Sequence, residues 1–316
     1  MSLLSYHASQ EQFSPAELLQ YVQLAAEAGF SGIHSSDHFH PWSIRQGQSA
    51  FTFSWISAAM MQCSLPFSMV CAPGQRLHPA IVAQAIATLG TMFPGRLTVE
   101  LGSGEALNEC ITGDPWPSKN LRNERLLQCK HVISRLLQGE KVNFSGLITV
   151  KNARLFTLPE IIPPLFCAAL SKPTAAWAGT WADGLLTTVD KTAEQIASKI
   201  AAFRQQKGSN APVHLQFCFC YDRTKTEAIR QAHDQWRSTM VGSKKLAELS
   251  QPEEYDQLTE DITANQVAAN IPIITEIEEL KDRINELKTL RATCIHLHNI
   301  SRHQEYFLQQ ATKLFT

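Results

Sequence analysis

Residues 67–101, FSMVCAPGQRLHPAIVAQAIATLGTMFPGRLTVEL, contain a short apolar run at each end and a longer run between them. The end runs, Phe67–Cys71 and Leu97–Leu101, have the length of buried strands, whereas His78–Met92 has the length and pattern of a helix. A strand, a helix and a second strand in this order predict a parallel βαβ unit.

The same alternation continues in both directions along the chain. The first helix is predicted to begin at Ser14-Pro15-Ala16-Glu17, a capping box with proline at the first helical position. Eight strands that alternate with helices favour a closed parallel sheet, so we predict an α/β fold, a (β/α)8 TIM barrel, with residues 1–316 as a single domain. The predicted strands are Leu3–Tyr6, Gly32–Ser35, Phe67–Cys71, Leu97–Leu101, Leu165–Ala168, Gly184–Thr187, Val213–Tyr221 and Cys294–Leu297.

Two stretches interrupt the alternation and are predicted to be insertions on the barrel. Residues 138–164 have the pattern of a small β excursion, and residues 240–272 are polar and weakly helical. The competing architecture is an open doubly wound sheet, which needs a glycine-rich turn after its first strand. The residues at that position, Tyr6–Glu11, include no glycine, so the open sheet is disfavoured.

Composition limits the classes of partner. The 316 residues carry 28 basic and 29 acidic side chains, so no excess of positive charge indicates binding to nucleic acid or an anionic membrane, and we expect a small-molecule substrate. No stretch approaches the roughly 20 apolar residues of a membrane span, and the N-terminus lacks a signal-peptide pattern. The eight cysteines include no CxxC pair, which is typical of a reduced cytoplasmic protein.

Polar side chains follow several predicted strands at the end where the chemistry of a parallel barrel takes place. We therefore expect acids, imidazoles and hydroxyls to meet at one edge of the barrel. These residues are Glu11 after the first strand, Asp37 and His38 after the second, Gly102-Ser103-Gly104-Glu105 and Asn108 after the fourth, Thr187 and Thr188 after the sixth, and His298 and Asn299 after the eighth.

The Gly102-Ser103-Gly104 run would let backbone N–H groups approach a phosphate or a planar ring closely, because glycine has no Cβ. A tight turn between strand and helix explains the same run equally simply. The carboxylate of Glu105, next to the turn, favours the functional interpretation.

His38 is a candidate for proton transfer near neutral pH, with Asp37 beside it to tune the local charge. The alternative is a histidine that only makes structural hydrogen bonds. Trp42 and Trp55 could stack on an aromatic cofactor or could pack in a lid or core.

His296 and His298 could share one face of the last strand, an arrangement that metal sites use. No carboxylate stands at a suitable spacing along the chain. We therefore predict a structural role for these histidines and no metal.

Four motifs together resemble one family. The chain is similar to the deazaflavin-dependent oxidoreductases related to F-420-dependent glucose-6-phosphate dehydrogenase, within the luciferase-like monooxygenase superfamily. The similarity is close through about residue 137 and returns near Trp177–Lys191 and Glu276–Phe307, while residues 205–275 diverge. The motifs are Ala8–Phe13 (ASQEQF), Ser36–Trp42 (SDHFHPW), His78–Ala85 (HPAIVAQA) and Gly102–Glu109 (GSGEALNE).

The resemblance implies a homodimer with the tricyclic ring at the barrel mouth. It makes His38 the base for a substrate hydroxyl and Glu105 the acid near the cofactor, with Trp42 and Glu11 in support. It also implies a non-proline cis peptide near Met69–Val70. The implied cofactor contacts are Asp37, Met69, Val70, Ser103, Gly104, Asn108, Ala169 and Leu170, and the implied substrate contacts are Thr188 and Lys191.

Departures from the family pattern bear on substrate and cofactor. Of the cations that hold a sugar phosphate, Lys191 is the clear counterpart and Lys244 or Lys245 could stand in for a second, whereas the place of an expected arginine is taken by Asn270. An amide does not replace an arginine fork, so glucose 6-phosphate is not the predicted substrate. F-420 has a long acidic tail and FMN one phosphate; no dense run of lysine and arginine lies near the predicted edge, which favours FMN.

The resulting hypothesis is a flavin- or deazaflavin-dependent oxidoreductase that transfers hydride between its cofactor and a small organic substrate. The alternatives are an FMN-dependent monooxygenase that uses oxygen and a flavin-binding barrel that has lost catalysis.

Overall fold

The computed structural model describes residues 2–189 and 192–315, without the side chains of Ser243 and Lys244. Eight parallel strands close into a barrel, because β9 pairs with β8 on one side and with β11 on the other, and β11 pairs with β1. The barrel strands are β1 (Leu3–Ala8), β2 (Gly32–Ser36), β3 (Phe67–Cys71), β4 (Leu97–Leu101), β7 (Leu165–Ala168), β8 (Leu185–Thr188), β9 (Val213–Tyr221) and β11 (Cys294–Asn299).

The predicted TIM barrel is therefore confirmed, and each of the eight predicted strands lies within two residues of its observed bounds. Helices surround the barrel. The first begins at Ser14, whose hydroxyl accepts from the backbone N–H of Glu17, and ends at Gly29 in the left-handed conformation, φ +104°. The helices are α1 (Pro15–Ala28), α2 (Thr52–Gln62), α3 (Pro79–Met92), α4 (Ala106–Glu109), α5 (Lys119–Leu137), α6 (Lys172–Ala178), α7 (Ala193–Lys207), α8 (Lys225–Trp236), α9 (Ser243–Leu246), α10 (Pro252–Leu258), α11 (Ala264–Ala268), α12 (Ile277–Lys288) and α13 (Gln304–Ala311).

Both predicted insertions are present. Residues 138–164 carry an antiparallel hairpin of β5 (Val142–Ser145) and β6 (Thr149–Ala153). Residues 240–272, called here the 240–272 segment, contain α9, α10 and α11 and lead into a two-residue strand, β10 (Ile273–Ile274), that pairs with the end of β9. Among the described residues, no helix is long and apolar enough to cross a membrane.

The cis peptide expected near Met69–Val70 is wrong, since the described residues include no cis peptide bond. Met69 pairs with Val99 and Val70 pairs with Glu100 in an unbroken parallel register. A trans bond keeps the extended geometry that this register requires.

The inside of the barrel differs from the branched apolar packing that is common in this fold. Its inward positions carry buried histidines and one buried glutamate from five strands. This interior cluster consists of His7, His34, Glu100, His214, His296 and His298.

Candidate active site

The carboxyl ends of β1 and β2 bring Glu11 and His38 together at the mouth of the barrel. Nε2 of His38 lies 3.3 Å from Oε1 of Glu11, and both side chains are largely buried. The carboxylate also accepts hydrogen bonds from the hydroxyls of Ser9, at 2.8 Å, and Ser36, at 3.2 Å. Glu11 is thus held in one orientation toward the imidazole.

Asn108, from α4, sets the tautomer of His38. Its Oδ1 accepts from the backbone N–H groups of Phe39, at 2.8 Å, and His40, at 3.2 Å. The amide NH₂ therefore faces Nδ1 of His38, 3.2 Å away, and donates to it. In the neutral imidazole the hydrogen is then on Nε2, toward Glu11.

Glu105 stands where β4 gives way to α4, directly after the glycine turn. Burial raises the pKa of its carboxyl to about 6; the neighbouring His38 opposes this shift and Glu11 adds to it. Among the described residues its carboxylate makes no side-chain hydrogen bond. A carboxyl with a pKa near 6 can hold or release a proton close to neutral pH.

Asp37 is already paired. Its Oδ2 accepts from Arg76 at 2.6 Å and its Oδ1 accepts from the backbone N–H of Thr52 at 3.0 Å. Arg76 also approaches Glu109 at 3.7 Å. Asp37 thus ties the loop after β2 to the loop after β3, and its predicted contact with a cofactor stays a prediction.

The glycine turn after β4 has a steric reason. Gly104 has φ +79°, and a Cβ there would lie 2.9 Å from Cγ of Glu109. A Cβ on Gly102 would meet nothing closer than 3.8 Å, so that side of the turn is open. The hydroxyl of Ser103 accepts from Nζ of Lys119 at 2.7 Å, which adds a cation to the turn.

Sequence reasoning missed Lys119 and Tyr255. Lys119 begins α5, outside the motifs, and Tyr255 lies in the divergent 240–272 segment. The ring of Tyr255 packs edge-on against Trp42 with centroids 5.6 Å apart, and Trp42 lies 5.4 Å from the ring of His38. These rings form an apolar wall beside the imidazole. Trp55 is instead buried, and its indole N–H donates to the carbonyl of Pro15.

Backbone and side-chain hydrogen bonds attach the 240–272 segment to the mouth of the barrel. The backbone N–H of Ala106 donates to the carbonyl of Ala247 at 3.1 Å. The carboxylate of Asp256 accepts from Ser43, at 2.7 Å, and from the backbone N–H of Ile44, at 3.0 Å. The segment therefore lies over the loops that carry His38 and Glu105.

The other predicted residues are distributed unevenly. Met69 and Ala169 are buried, Val70 and Thr188 are partly exposed and Leu170 is exposed, and their contacts with a cofactor or substrate stay predictions. Lys191 lies outside the described residues. His298, expected at the edge of the barrel mouth, lies in the barrel interior instead, because β11 continues to Asn299. The ring centroids of His298 and His7 are 4.0 Å apart.

Comparisons with known proteins agree with this geometry. The family described as luciferase-like monooxygenase matches residues 2–287. The chain is 30% identical over 320 residues to an F420-dependent glucose-6-phosphate dehydrogenase of Beutenbergia cavernae, with 98% of this chain and 95% of the relative covered. It is 29% identical over 318 residues to the enzyme of that name from Mycolicibacterium smegmatis, with 97% and 94% covered.

Solved structures give the same result. An F420-dependent secondary alcohol dehydrogenase in complex with an F420–acetone adduct superposes with a TM-score of 0.89 at 27% identity, covering 99% of this chain and 98% of that one. A long-chain alkane monooxygenase superposes with a TM-score of 0.76 at 11% identity, covering 99% and 91%, and shows likeness of fold alone.

Proposed function

This chain belongs to the luciferase-like monooxygenase family, and we propose that it transfers hydride between a flavin or deazaflavin at the barrel mouth and a small organic substrate. The predicted class, a flavin- or deazaflavin-dependent oxidoreductase, is confirmed by its relatives. The observation that carries the proposal is the meeting of His38, Glu11 and Glu105 beside the open glycine turn.

The residues at the turn fit such a cofactor. Both FMN and F-420 have a phosphate after the ribityl chain, and Lys119 with Ser103 offers an ammonium and a hydroxyl for it. The partly exposed ring of Trp42, supported from behind by the buried ring of Tyr255, offers an apolar surface for the substrate next to His38. When bound, the ring would accept a hydride from the substrate carbon.

His38 is the base of the proposed reaction. A substrate hydroxyl would replace the Asn108 amide as the hydrogen-bond donor to Nδ1, the unprotonated nitrogen of His38. It would then transfer its proton to this nitrogen. Glu11, 3.3 Å from Nε2, would stabilise the imidazolium that forms. Glu105, with its raised pKa, would hold a proton on the other side of the site.

Two observations support different cofactors. Cations near the turn are mostly paired with acids: Arg76 with Asp37 and Arg122 with Glu248. Lys119 contacts a hydroxyl instead, and one such cation suits the single phosphate of FMN. The relatives cited above are F420-dependent, which favours the deazaflavin.

The substrate we propose is a small alcohol or ketone without a phosphate group. Asn270, at the place of the expected arginine, is exposed and donates its amide N–H to the carbonyl of Gln266 at 2.8 Å. The neighbour at 27% identity was solved with an F420–acetone adduct. Homodimer formation stays a prediction.

The test offers FMN and F-420 separately to the purified protein and then adds 2-propanol without oxygen. We expect one cofactor to bind and to lose its oxidised absorption band. Binding of neither would contradict the proposal. Substrate hydroxylation that requires oxygen would identify a monooxygenase instead.

A matched pair of variants tests the turn. Lys119→Gln should weaken cofactor binding about tenfold, the value of one charge-assisted hydrogen bond. Lys130→Gln, on the same helix α5, is the control and should leave binding unchanged. Equal effects of the two would remove Lys119 from the proposed phosphate site.

A further inference from the structure

Glu100 is the centre of the interior cluster. It is fully buried, and three imidazole nitrogens surround its carboxylate. Nδ1 of His214 lies 2.6 Å from Oε1, Nε2 of His296 lies 3.5 Å from Oε1, and Nε2 of His34 lies 2.9 Å from Oε2. These groups come from β2, β4, β9 and β11, so the closed barrel itself assembles them.

A buried carboxylate needs a positive counter-charge, because its transfer from water is costly. In the described ranges, the ion-pair partners of Glu100 are histidines, and no lysine or arginine reaches it. The rings of His34 and His296 stack in parallel at 4.0 Å, which disfavours a proton on both.

His296 shows where the arrangement is incomplete. Its Nε2 is buried, points toward Glu100 and has no hydrogen-bond partner in the described part of the chain. The ligand atoms of His34, Glu100 and His296 all lie within 4.8 Å of one another. A buried imidazole nitrogen without a hydrogen-bond partner, beside a carboxylate and a second imidazole, is an arrangement that metal sites use.

The outer nitrogens of these rings are also held in place. Nδ1 of His34 is 2.7 Å from Nδ1 of His7, and Nδ1 of His296 is hydrogen-bonded to the hydroxyl of Ser5. Metal-binding histidines usually have such a partner, which fixes the ring and leaves the inner nitrogen free to coordinate.

We propose that His34, His296 and Glu100 bind a divalent transition metal ion such as Zn²⁺ inside the barrel. Two imidazoles and one carboxylate are donors that zinc accepts in proteins. The ion would join strands on opposite sides of the barrel. This proposal does not depend on the cofactor or the substrate.

The first test uses the wild-type chain alone. Protein unfolded with a chelator is refolded with Co²⁺, with Zn²⁺ or without metal. We expect about one ion per chain, visible absorption bands from Co²⁺ in a nitrogen and oxygen environment, and a higher Tm with either metal. Refolded protein that binds no metal and has one Tm in all three solutions would overturn the proposal and leave a shared proton as the counter-charge.

Variants then locate the ion. His296→Gln should lower the metal content at least tenfold and remove the dependence of Tm on metal. His298→Gln is the matched control, since His298 is equally buried on β11 but contacts His7 and Cys218 instead of Glu100. Full metal content in His296→Gln, or equal loss in both variants, would overturn the proposed site.

Discussion

Two histidine–glutamate pairs lie within one barrel, and their histidines are four residues apart on the chain. His38 and Glu11 meet at the mouth with 3.3 Å between Nε2 and Oε1, and their side chains are 12% and 5% exposed. His34 and Glu100 meet in the interior at 2.9 Å, and both side chains are 0% exposed.

The neighbours of each glutamate make the difference. Hydroxyls of Ser9 and Ser36 solvate Glu11, and Asn108 leaves one nitrogen of His38 without a proton. Among the described residues, the hydrogen-bond and ion-pair partners of Glu100 are imidazoles. The same two residue types therefore suit proton exchange at the mouth and a fixed charge in the interior, because solvation decides which protonation states are accessible.

The largest expected effect is on catalysis at the mouth. His38→Ala should lower kcat about 1000-fold, because it removes the proposed base. Steady-state kinetics with the alcohol found in the binding test provides the measurement. His40→Ala is the control, since the ring of His40 contacts the carbonyl of Leu107. A loss below tenfold in His38→Ala would leave the mouth pair without a catalytic role.

Substitution in the interior pair, His34 and Glu100, should change the stability of the fold. Glu100→Gln should lower the free energy of unfolding by about 3 kcal/mol, because the charge that its histidines surround is lost. Glu11→Gln, the same change at the mouth, should cost less than about 1 kcal/mol, because hydroxyls and solvent are available there. Urea denaturation of both variants makes the comparison, and equal losses would show that the two pairs do not differ as described.

The raised pKa of Glu105 predicts how kcat depends on pH. Its pKa of about 6 lies above the ordinary 4.5, so its proton is lost as the pH rises through 6. If the protonated form is active, kcat should fall about tenfold per pH unit above 6, and Glu105→Gln should abolish that limb. Folding favours the protonated carboxyl, so its contribution to stability is full below pH 4.5 and is lost as the pH rises through 6. An unchanged profile in the variant would exclude Glu105 from the proton step.

The smallest effect concerns the tautomer of His38. Asn108→Ala removes the donor to Nδ1, so the neutral ring should populate both tautomers and kcat should fall about fivefold. Nitrogen chemical shifts of labelled His38 report the tautomer directly. An unchanged Nε2–H form in the variant would show that Glu11 alone fixes the ring.

The sequence allowed the barrel to be predicted because strand length and helix periodicity are local properties. The mouth was predicted through motifs that keep Glu11, His38, Glu105 and Asn108 in short runs. Contacts between distant parts of the chain could not be predicted from the sequence. Glu100 was assigned to an apolar strand, and nothing in its surroundings indicated that barrel closure would place it against His296, nearly 200 residues away.

Because the 240–272 segment is attached to the mouth from outside the barrel strands, the surface beside the substrate and the residues for proton transfer belong to different parts of the chain. Tyr255, in this segment, packs against Trp42. By contrast, Glu11 follows β1, His38 follows β2 and Asn108 lies on α4. On the proposed mechanism, the support of the substrate surface and the proton-transfer residues thus lie in different stretches of the chain. Exchanging this segment for another that keeps the Asp256 and Ala247 attachments is therefore a route to new substrates on an unchanged reaction centre.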